Sequence, residues 1–192
     1  MILVTGFTPF GTLDHNPAQA VLELLPDRLG EEEVVKAVLP VESRGLPQAL
    51  FRLHALGPRA VLHLGLAGDR PLPTLERLAV NLLDFSIPDN GGHQPEDLPI
   101  IPGGPLALEA RFPLRETLKR WQEAGIPGRL SLSAGSYLCN QAFYLSLYHL
   151  PEEVQVGFLH LPPDETLALK RGGAYMPLKE QARAVGVALD LL

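Results

Sequence analysis

The chain of 192 residues is 46% hydrophobic and 20% charged, a composition typical of one globular domain over residues 1–192 and unlike that of a disordered chain. Its formal net charge of −6 argues against a nucleic-acid surface, which would need clustered lysine and arginine. No apolar run approaches the length that crosses a bilayer, so we expect neither nucleic acid nor a membrane as a partner.

Short apolar runs alternate with helix-like segments through the first third of the chain. The predicted buried strands cover residues 2–5, 34–39 and 60–66. A helix is predicted to begin with Asn16 as N-cap and Pro17 as first helical residue, and a second helix to cover residues 47–56. This alternation implies parallel strand pairing with right-handed crossovers.

The rest of the chain continues the pattern less regularly. Residues 75–87 predict a strand that runs into an irregular excursion and returns as a hairpin through residues 98–101. The remaining predicted elements are helices over residues 113–124, 140–149 and 178–191 and strands over residues 130–132 and 155–160. The predicted fold class is α/β, a three-layer αβα sandwich around a twisted, mostly parallel mixed sheet.

The only cysteine, Cys139, lies where a predicted strand passes into a predicted helix. Unpaired N–H groups and the positive end of the helix macrodipole favour a thiolate there, which predicts a lowered pKa. His160 ends the next predicted strand, so the two side chains are expected to meet at one sheet edge as nucleophile and base. The alternatives are that Cys139 is an ordinary buried residue, and that His63, near another strand end, is the base.

Four segments add a more specific signal. They read T-G-F-T-P-F-G at residues 5–11 followed by Asn16-Pro17, E-R-L-A-V-N at 76–81 with I-P-D-N at 87–90, S-A-G-S-Y-L-C-N at 133–140, and G-F-L-H-L-P at 157–162. In order and spacing they resemble the motifs of type I pyroglutamyl peptidases, the pyrrolidone-carboxylate peptidases. The resemblance covers the chain nearly end to end, and it implies the phosphorylase/hydrolase-like αβα fold.

The resemblance implies a cysteine omega-peptidase that removes N-terminal pyroglutamate from peptides through a thioester, with no cofactor and no metal. It implies a catalytic triad in which Cys139 is the nucleophile, His160 the acid and base, and Glu76 the group that orients the histidine. A carboxylate in an apolar run is costly to bury unpaired, and a histidine N–H is a suitable partner. A salt bridge from Glu76 to Arg77 is the alternative.

The substrate pocket is also implied by the resemblance. Phe7 and Phe10 would form one aromatic wall for the flat lactam ring, and Tyr137 and Leu138 would close the pocket from the nucleophile side. Asn16 would hydrogen-bond the lactam. Core packing is the alternative for the two phenylalanines, although a strand that ends at Gly6 would place them on a loop.

The chain departs from the family at one position near the oxyanion. Ser86 stands where the family usually has arginine. The backbone N–H of Cys139 remains as a donor to the oxyanion, and Arg70 is a possible replacement for the missing arginine.

Two rival functions and the assembly complete the expectations. A related cysteine amidohydrolase acting on another lactam or small amide would keep the triad and change the pocket, whereas a silent binding protein would use the scaffold without catalysis. The single cysteine fits a cytoplasmic location. Apolar residues such as Phe112 and Trp121 are difficult to place in one core, and with the resemblance they predict a homo-oligomer, a tetramer.

Overall fold

The computed structural model describes residues 1–192. All eight strands join one sheet. In chain order they are β1 Ile2–Phe7, β2 Arg28–Leu29, β3 Glu32–Leu39, β4 Ala60–Leu66, β5 Thr74–Val80, β6 Ala107–Glu109, β7 Arg129–Ser133 and β8 Gln155–Leu161. The order across the sheet is β2-β3-β1-β4-β8-β5-β6, and β7 pairs with β5.

Pairing in the sheet is mixed. The pairs β1–β3, β1–β4, β4–β8 and β5–β7 are parallel, and β2–β3, β5–β6 and β5–β8 are antiparallel. The latest strand in the chain, β8, lies between β4 and β5 near the centre of the sheet. The carboxyl ends of β1, β4 and β8 therefore lie side by side, the usual position of a site in an open α/β sheet.

Six helices cover the two faces of the sheet. They are α1 Pro17–Leu24, α2 Leu46–His54, α3 Leu114–Glu123, α4 Leu138–His149, α5 Glu165–Arg171 and α6 Leu178–Leu189. Apolar residues of α1, α3 and α6 pack with one face of the strands, and those of α2 and α4 pack with the other. Alternate residues of β1 serve the two cores, as a strand buried on both faces requires. The predicted αβα sandwich is confirmed.

Several predicted elements differ in their extent. The first strand does not end at Gly6 but runs to Phe7, so Phe7 lies on a strand rather than on a loop. The predicted return through residues 98–101 is wrong as a hairpin limb, because that segment makes only one bridge, Leu83 with Leu98. The antiparallel partners of β5 are β6 and β8 instead. Neither β2 nor α5 was predicted.

Phe112 and Trp121 are both buried in the core of this chain, with Trp121 fully enclosed. The indole Nε1–H of Trp121 donates to the carbonyl of Ala184 at 2.8 Å, which joins α3 to α6. The argument that these two residues lack a place in one core is therefore wrong. No helix is long and apolar enough to cross a membrane.

A chain of hydrogen-bonding polar side chains links β1 and β4 to helices α4 and α2. His63 is fully buried, with Nδ1 2.7 Å from Thr5 Oγ1 and Nε2 2.8 Å from Ser146 Oγ, and His54 Nε2 lies 3.0 Å from the same hydroxyl. Burial lowers the pKa of His63 to about 3, and the nearby charge of His54 adds to this effect. His63 is therefore neutral in the folded chain at neutral pH.

We predict that this histidine makes the fold sensitive to acid. Its folded pKa lies below its ordinary value of 6.5, so the unfolded chain takes up the proton first. The free energy of unfolding should fall as pH drops below about 6.5, by about 1.4 kcal/mol per pH unit for this one group, until the pH approaches the folded pKa. Thermal unfolding midpoints measured across this range check the prediction.

The variant His63→Asn serves as the comparison. It should be less stable at neutral pH, because the asparagine is smaller, but its stability should depend less steeply on pH between about 6.5 and 4. Equal slopes in the two proteins would assign the acid sensitivity to other groups.

Candidate active site

A cavity of about 120 Å³ opens at the carboxyl ends of the strands. Its lining is mainly apolar and comes from β1, the loop after it, β4, β8 and the start of α4. The lining residues are Phe7, Phe10, Asn16, Val41, Leu66, Ala134, Tyr137, Leu138, Cys139 and His160. The structure thus brings together all the candidate residues except Glu76, which lies behind His160 and does not line the cavity.

Cys139 is the second residue of α4, which begins at Leu138 after Tyr137 as N-cap. The first intrahelical bond runs from the N–H of Gln141 to the carbonyl of Tyr137, so the N–H groups of Leu138, Cys139 and Asn140 have no acceptor within the helix. These donors belong to the helix turn that carries the thiol, and they are suited to a developing negative charge.

The absence of a side chain at Gly65 makes room for the thiol. A Cβ at this position of β4 would lie 2.7 Å from Cys139 Sγ and 2.8 Å from Cζ of Phe158, both too close for carbon. Gly65 pairs with His160 across β4 and β8. The sulfur of Cys139 therefore lies against Gly65 on β4, and Gly65 is the residue that pairs with His160 on β8.

His160 is oriented by Glu76. Nδ1 of His160 lies 2.7 Å from Oε1 of Glu76, and both residues are buried. The same carboxylate oxygen accepts a hydrogen bond from Nη1 of Arg70. Burial alone would raise the pKa of Glu76, but the hydrogen bond and charge of His160, helped by the charge of Arg70, lower it. Glu76 is therefore a carboxylate that accepts the Nδ1–H proton and leaves Nε2 of His160 as the free ring nitrogen.

The structure does not show the alternative partner of Glu76 or the alternative base. Arg77 pairs with Glu109 at 2.9 Å and does not contact Glu76. His63 does not line the cavity. Ser86 is exposed and also lies outside the cavity lining, so it does not stand in for an arginine there. Arg70 was expected only as an oxyanion donor, but its observed partner is Glu76.

The expected lowering of the Cys139 pKa is wrong for the free chain. Burial raises the pKa of the thiol to about 12, and the Glu76 carboxylate adds to this effect. The backbone N–H of Cys139 and the charge of Arg70 oppose the rise without cancelling it. The position at a helix start is as predicted, but the apolar lining and the carboxylate outweigh the helix terminus. At neutral pH the free chain holds a thiol, which needs a base to become a nucleophile.

Asn16 is already committed to the fold. Oδ1 accepts from the N–H of Ala18 at 3.0 Å, which confirms its role as N-cap of α1, and Nδ2 donates to the carbonyl of Thr8 at 3.1 Å. One N–H of the amide is left for a ligand. The two bonds orient this N–H, so Asn16 offers one donor at the cavity wall.

The aromatic wall includes a residue that the sequence reasoning missed. Phe10 and Tyr137 have ring centroids 6.1 Å apart, and Phe85 packs against Tyr137 edge to face at 4.6 Å. Tyr137 Oη also donates to the carbonyl of Pro88 at 3.2 Å. Phe85 therefore supports the wall from behind. Its place two residues before the recognised I-P-D-N segment was the available signal.

The loop that carries Phe10 is attached to α5. His15 Nε2 lies 2.6 Å from Oδ2 of the buried Asp164, whose Oδ1 accepts from the N–H of Leu167 as the N-cap of α5. Arg171, at the other end of α5, donates to Thr12 Oγ1 at 2.9 Å. The unpredicted helix thus fixes one side of the cavity.

Comparisons with known proteins identify relatives of this chain. The sequence profile of the family described as Pyroglutamyl peptidase matches residues 1–192. The pyrrolidone-carboxylate peptidase of Deinococcus radiodurans is 45% identical over 206 residues, which covers 100% of this chain and 93% of the relative. The pyrrolidone-carboxylate peptidase of Thermococcus onnurineus is 38% identical over 98% of this chain and 96% of its own length.

Solved structures give the same result. The crystal structure of pyrrolidone carboxyl peptidase from Thermus thermophilus is 71% identical, superposes with a TM-score of 0.99, and is covered, like this chain, over 100% of its length. The pyrrolidone carboxyl peptidase from Thermococcus litoralis is 34% identical with a TM-score of 0.92, over 99% of this chain and 91% of that one.

Proposed function

This chain belongs to the pyroglutamyl peptidase family, and from that membership we propose that it removes N-terminal pyroglutamate from peptides with its own Cys139, His160 and Glu76. The observation that carries the assignment of residues is the buried His160–Glu76 pair, 2.7 Å long, whose histidine lines the cavity that also contains the only cysteine. A carboxylate that orients an imidazole beside a nucleophile is the arrangement used in acyl transfer.

Catalysis proceeds in two halves. Nε2 of His160 takes the proton from Sγ of Cys139 as the sulfur attacks the carbonyl carbon of the pyroglutamyl residue. Collapse of the tetrahedral intermediate breaks the C–N bond, and His160 gives the proton to the departing amine. Water, deprotonated by His160, then attacks the thioester, and free pyroglutamate and the thiol are released. No cofactor or metal takes part.

Because the pKa of the resting thiol is high, the base must take the proton from Cys139 during the reaction. Proton transfer to His160 creates a thiolate and an imidazolium, and the Glu76 carboxylate stabilises the positive charge on the ring. The transfer is coupled to substrate attack, because the free chain favours the neutral thiol. The N–H of Cys139 is our proposed oxyanion donor, since it belongs to the first turn of α4 and lacks an intrahelical partner.

Substrate recognition rests on a small apolar cavity with few polar groups. Phe7, Phe10 and Leu138 would contact the faces of the lactam ring, and Tyr137 would close the cavity over it. The free N–H of Asn16 would donate to the lactam carbonyl. A flat, neutral ring suits such a site because it brings no charge into the apolar lining.

We therefore expect strong discrimination between pyroglutamyl and prolyl amides. The prolyl ring lacks the carbonyl, which leaves the Asn16 donor unpaired, and its secondary amine is charged at neutral pH. Each effect costs about 1–3 kcal/mol or more, so kcat/KM should fall by at least about thirtyfold. Release of the same chromogenic amine from the two substrates measures the ratio, and similar efficiencies would contradict the pocket assignment.

The location and assembly belong to the same proposal. A cytoplasmic, reducing environment would keep the single thiol free. A homotetramer is supported by exposed leucines on this chain, of which Leu106 is 89% exposed, Leu169 88% and Leu132 71%. Light scattering distinguishes a tetramer from a single chain of 20.9 kDa.

A further inference from the structure

A second cavity, of about 270 Å³, adjoins the first. The two share Phe10 and Leu66 in their walls. Beyond the shared wall the second cavity is lined by the apolar residues Leu13, Pro163 and Leu167, by two glycines, and by the exposed Arg171. The structure so far assigns this cavity no role.

The strands that hold the catalytic residues lead directly into it. On β4, Gly65 lies against Cys139 Sγ, and the next residue, Leu66, lines both cavities. On β8, His160 pairs with Gly65, and the chain continues through Pro163, which lines the second cavity, into α5. The lining of the second cavity therefore includes the residue that follows Gly65 on β4, which is Leu66, and the residue three positions after His160, which is Pro163.

The position of the bond to be cleaved decides what can reach this space. The pyroglutamyl ring occupies the first cavity, with its carbonyl carbon at Cys139, so the rest of the peptide must leave past the sulfur. Phe10 and Leu66 are the walls that the ring and the next residue would have in common. The second cavity adjoins the first across these two walls, and its volume exceeds that of the first.

We propose that the second cavity binds the side chain of the residue that follows pyroglutamate, and that it favours apolar side chains. The inference rests on the proposed function. Leucine, proline and phenylalanine walls exclude water around an aliphatic side chain but offer a carboxylate no partner within the apolar part. Arg171 also lines the cavity, but it is exposed, and its guanidinium already donates to Thr12 Oγ1 at 2.9 Å.

Gly68 provides a direct test. It lines the second cavity but not the first, its Cβ would meet nothing within 4 Å, and its φ is not in the left-handed region. A larger side chain is therefore accepted there and would occupy the cavity. Gly186 in α6 is the matched control, since its Cβ also meets nothing within 4 Å and it lies outside both cavities.

The experiment compares kcat/KM for three dipeptides in which pyroglutamate is followed by leucine, alanine or aspartate. The unmodified chain should prefer the leucine over the alanine substrate by about tenfold, the discrimination expected when an apolar pocket is filled. Gly68→Leu should bring that ratio close to one, whereas Gly186→Leu should retain it. Thermal unfolding of both variants shows that the fold is intact, and the substrate series on the unmodified chain is informative without either variant.

The outcomes separate this inference from the proposed function. Equal efficiency on the three substrates, or a preference for aspartate, would overturn the inference and leave pyroglutamyl peptidase activity standing. A leucine preference that persists in Gly68→Leu would also overturn it, since the selection would then arise elsewhere. Failure of the unmodified chain to cleave any of the three would overturn the proposed function and this inference together.

Discussion

Cys139→Ser is expected to lower turnover of a pyroglutamyl amide by at least about a thousandfold while leaving the fold intact. A serine hydroxyl is far less acidic than a thiol, and the apolar lining and Glu76 carboxylate that raise the pKa of the thiol would also disfavour an alkoxide. Oxygen is smaller than sulfur, so no new contact with Gly65 arises. Release of a chromogenic amine measures the rate, and circular dichroism measures the fold.

The single cysteine makes the control simple. A thiol reagent should label the unmodified chain once and inactivate it, and mass spectrometry of the quenched reaction should detect a pyroglutamyl adduct that Cys139→Ala lacks. Rates in Cys139→Ser close to those of the unmodified chain would remove this residue from the mechanism.

His160→Ala is expected to lower kcat by about a thousandfold or more, because both proton transfers lose their acid and base. Glu76→Gln should cost less, on the order of a hundredfold, since the histidine remains and loses only its carboxylate. The glutamine also leaves Arg70 without its ionic partner, so a modest loss of stability should accompany the change. Single-turnover kinetics separate these effects on chemistry from effects on binding.

His63 is the informative comparison for this pair of variants. Because it is fully buried between Thr5 and Ser146 and absent from the cavity lining, His63→Ala should reduce the unfolding midpoint rather than the rate per folded molecule. A stable His63→Ala protein without activity, beside a nearly unaffected His160→Ala, would reverse the assignment of the base.

Many of the strands and helices can be predicted from local residue patterns. The strand at residues 60–66 is confirmed over its full length, because a run of apolar or small residues interrupted only by His63 suits a strand covered on both faces. Asn16 before Pro17 is confirmed as a helix start. The strand-to-helix passage at Cys139 is also found, with the helix two residues earlier than predicted. These features depend on local sequence, which explains why they were accessible.

Other features depend on contacts between distant segments. Helix α5 has only seven residues and follows two prolines, so no periodic pattern reveals it, and its N-cap Asp164 is explained by a bond to His15 that only the fold creates. The pKa of Cys139 depends on burial and on Glu76, 63 positions earlier in the chain, and a helix-terminus argument includes neither. The sequence does not indicate why position 65 must be glycine, because the requirement comes from the Cys139 sulfur that lies against it in the folded chain.

The central position of β8 bears on how the molecule matures during synthesis. Strands β1 to β4 can pair among themselves, and so can β5 to β7, but within the sheet the two groups are joined only through β8, the last strand to be made. Gly65 belongs to the first group, Glu76 to the second, and His160 arrives on the joining strand. Contacts of such long sequence separation form late in folding. The proposed triad therefore assembles, and peptidase activity begins, only after β8 has been synthesised.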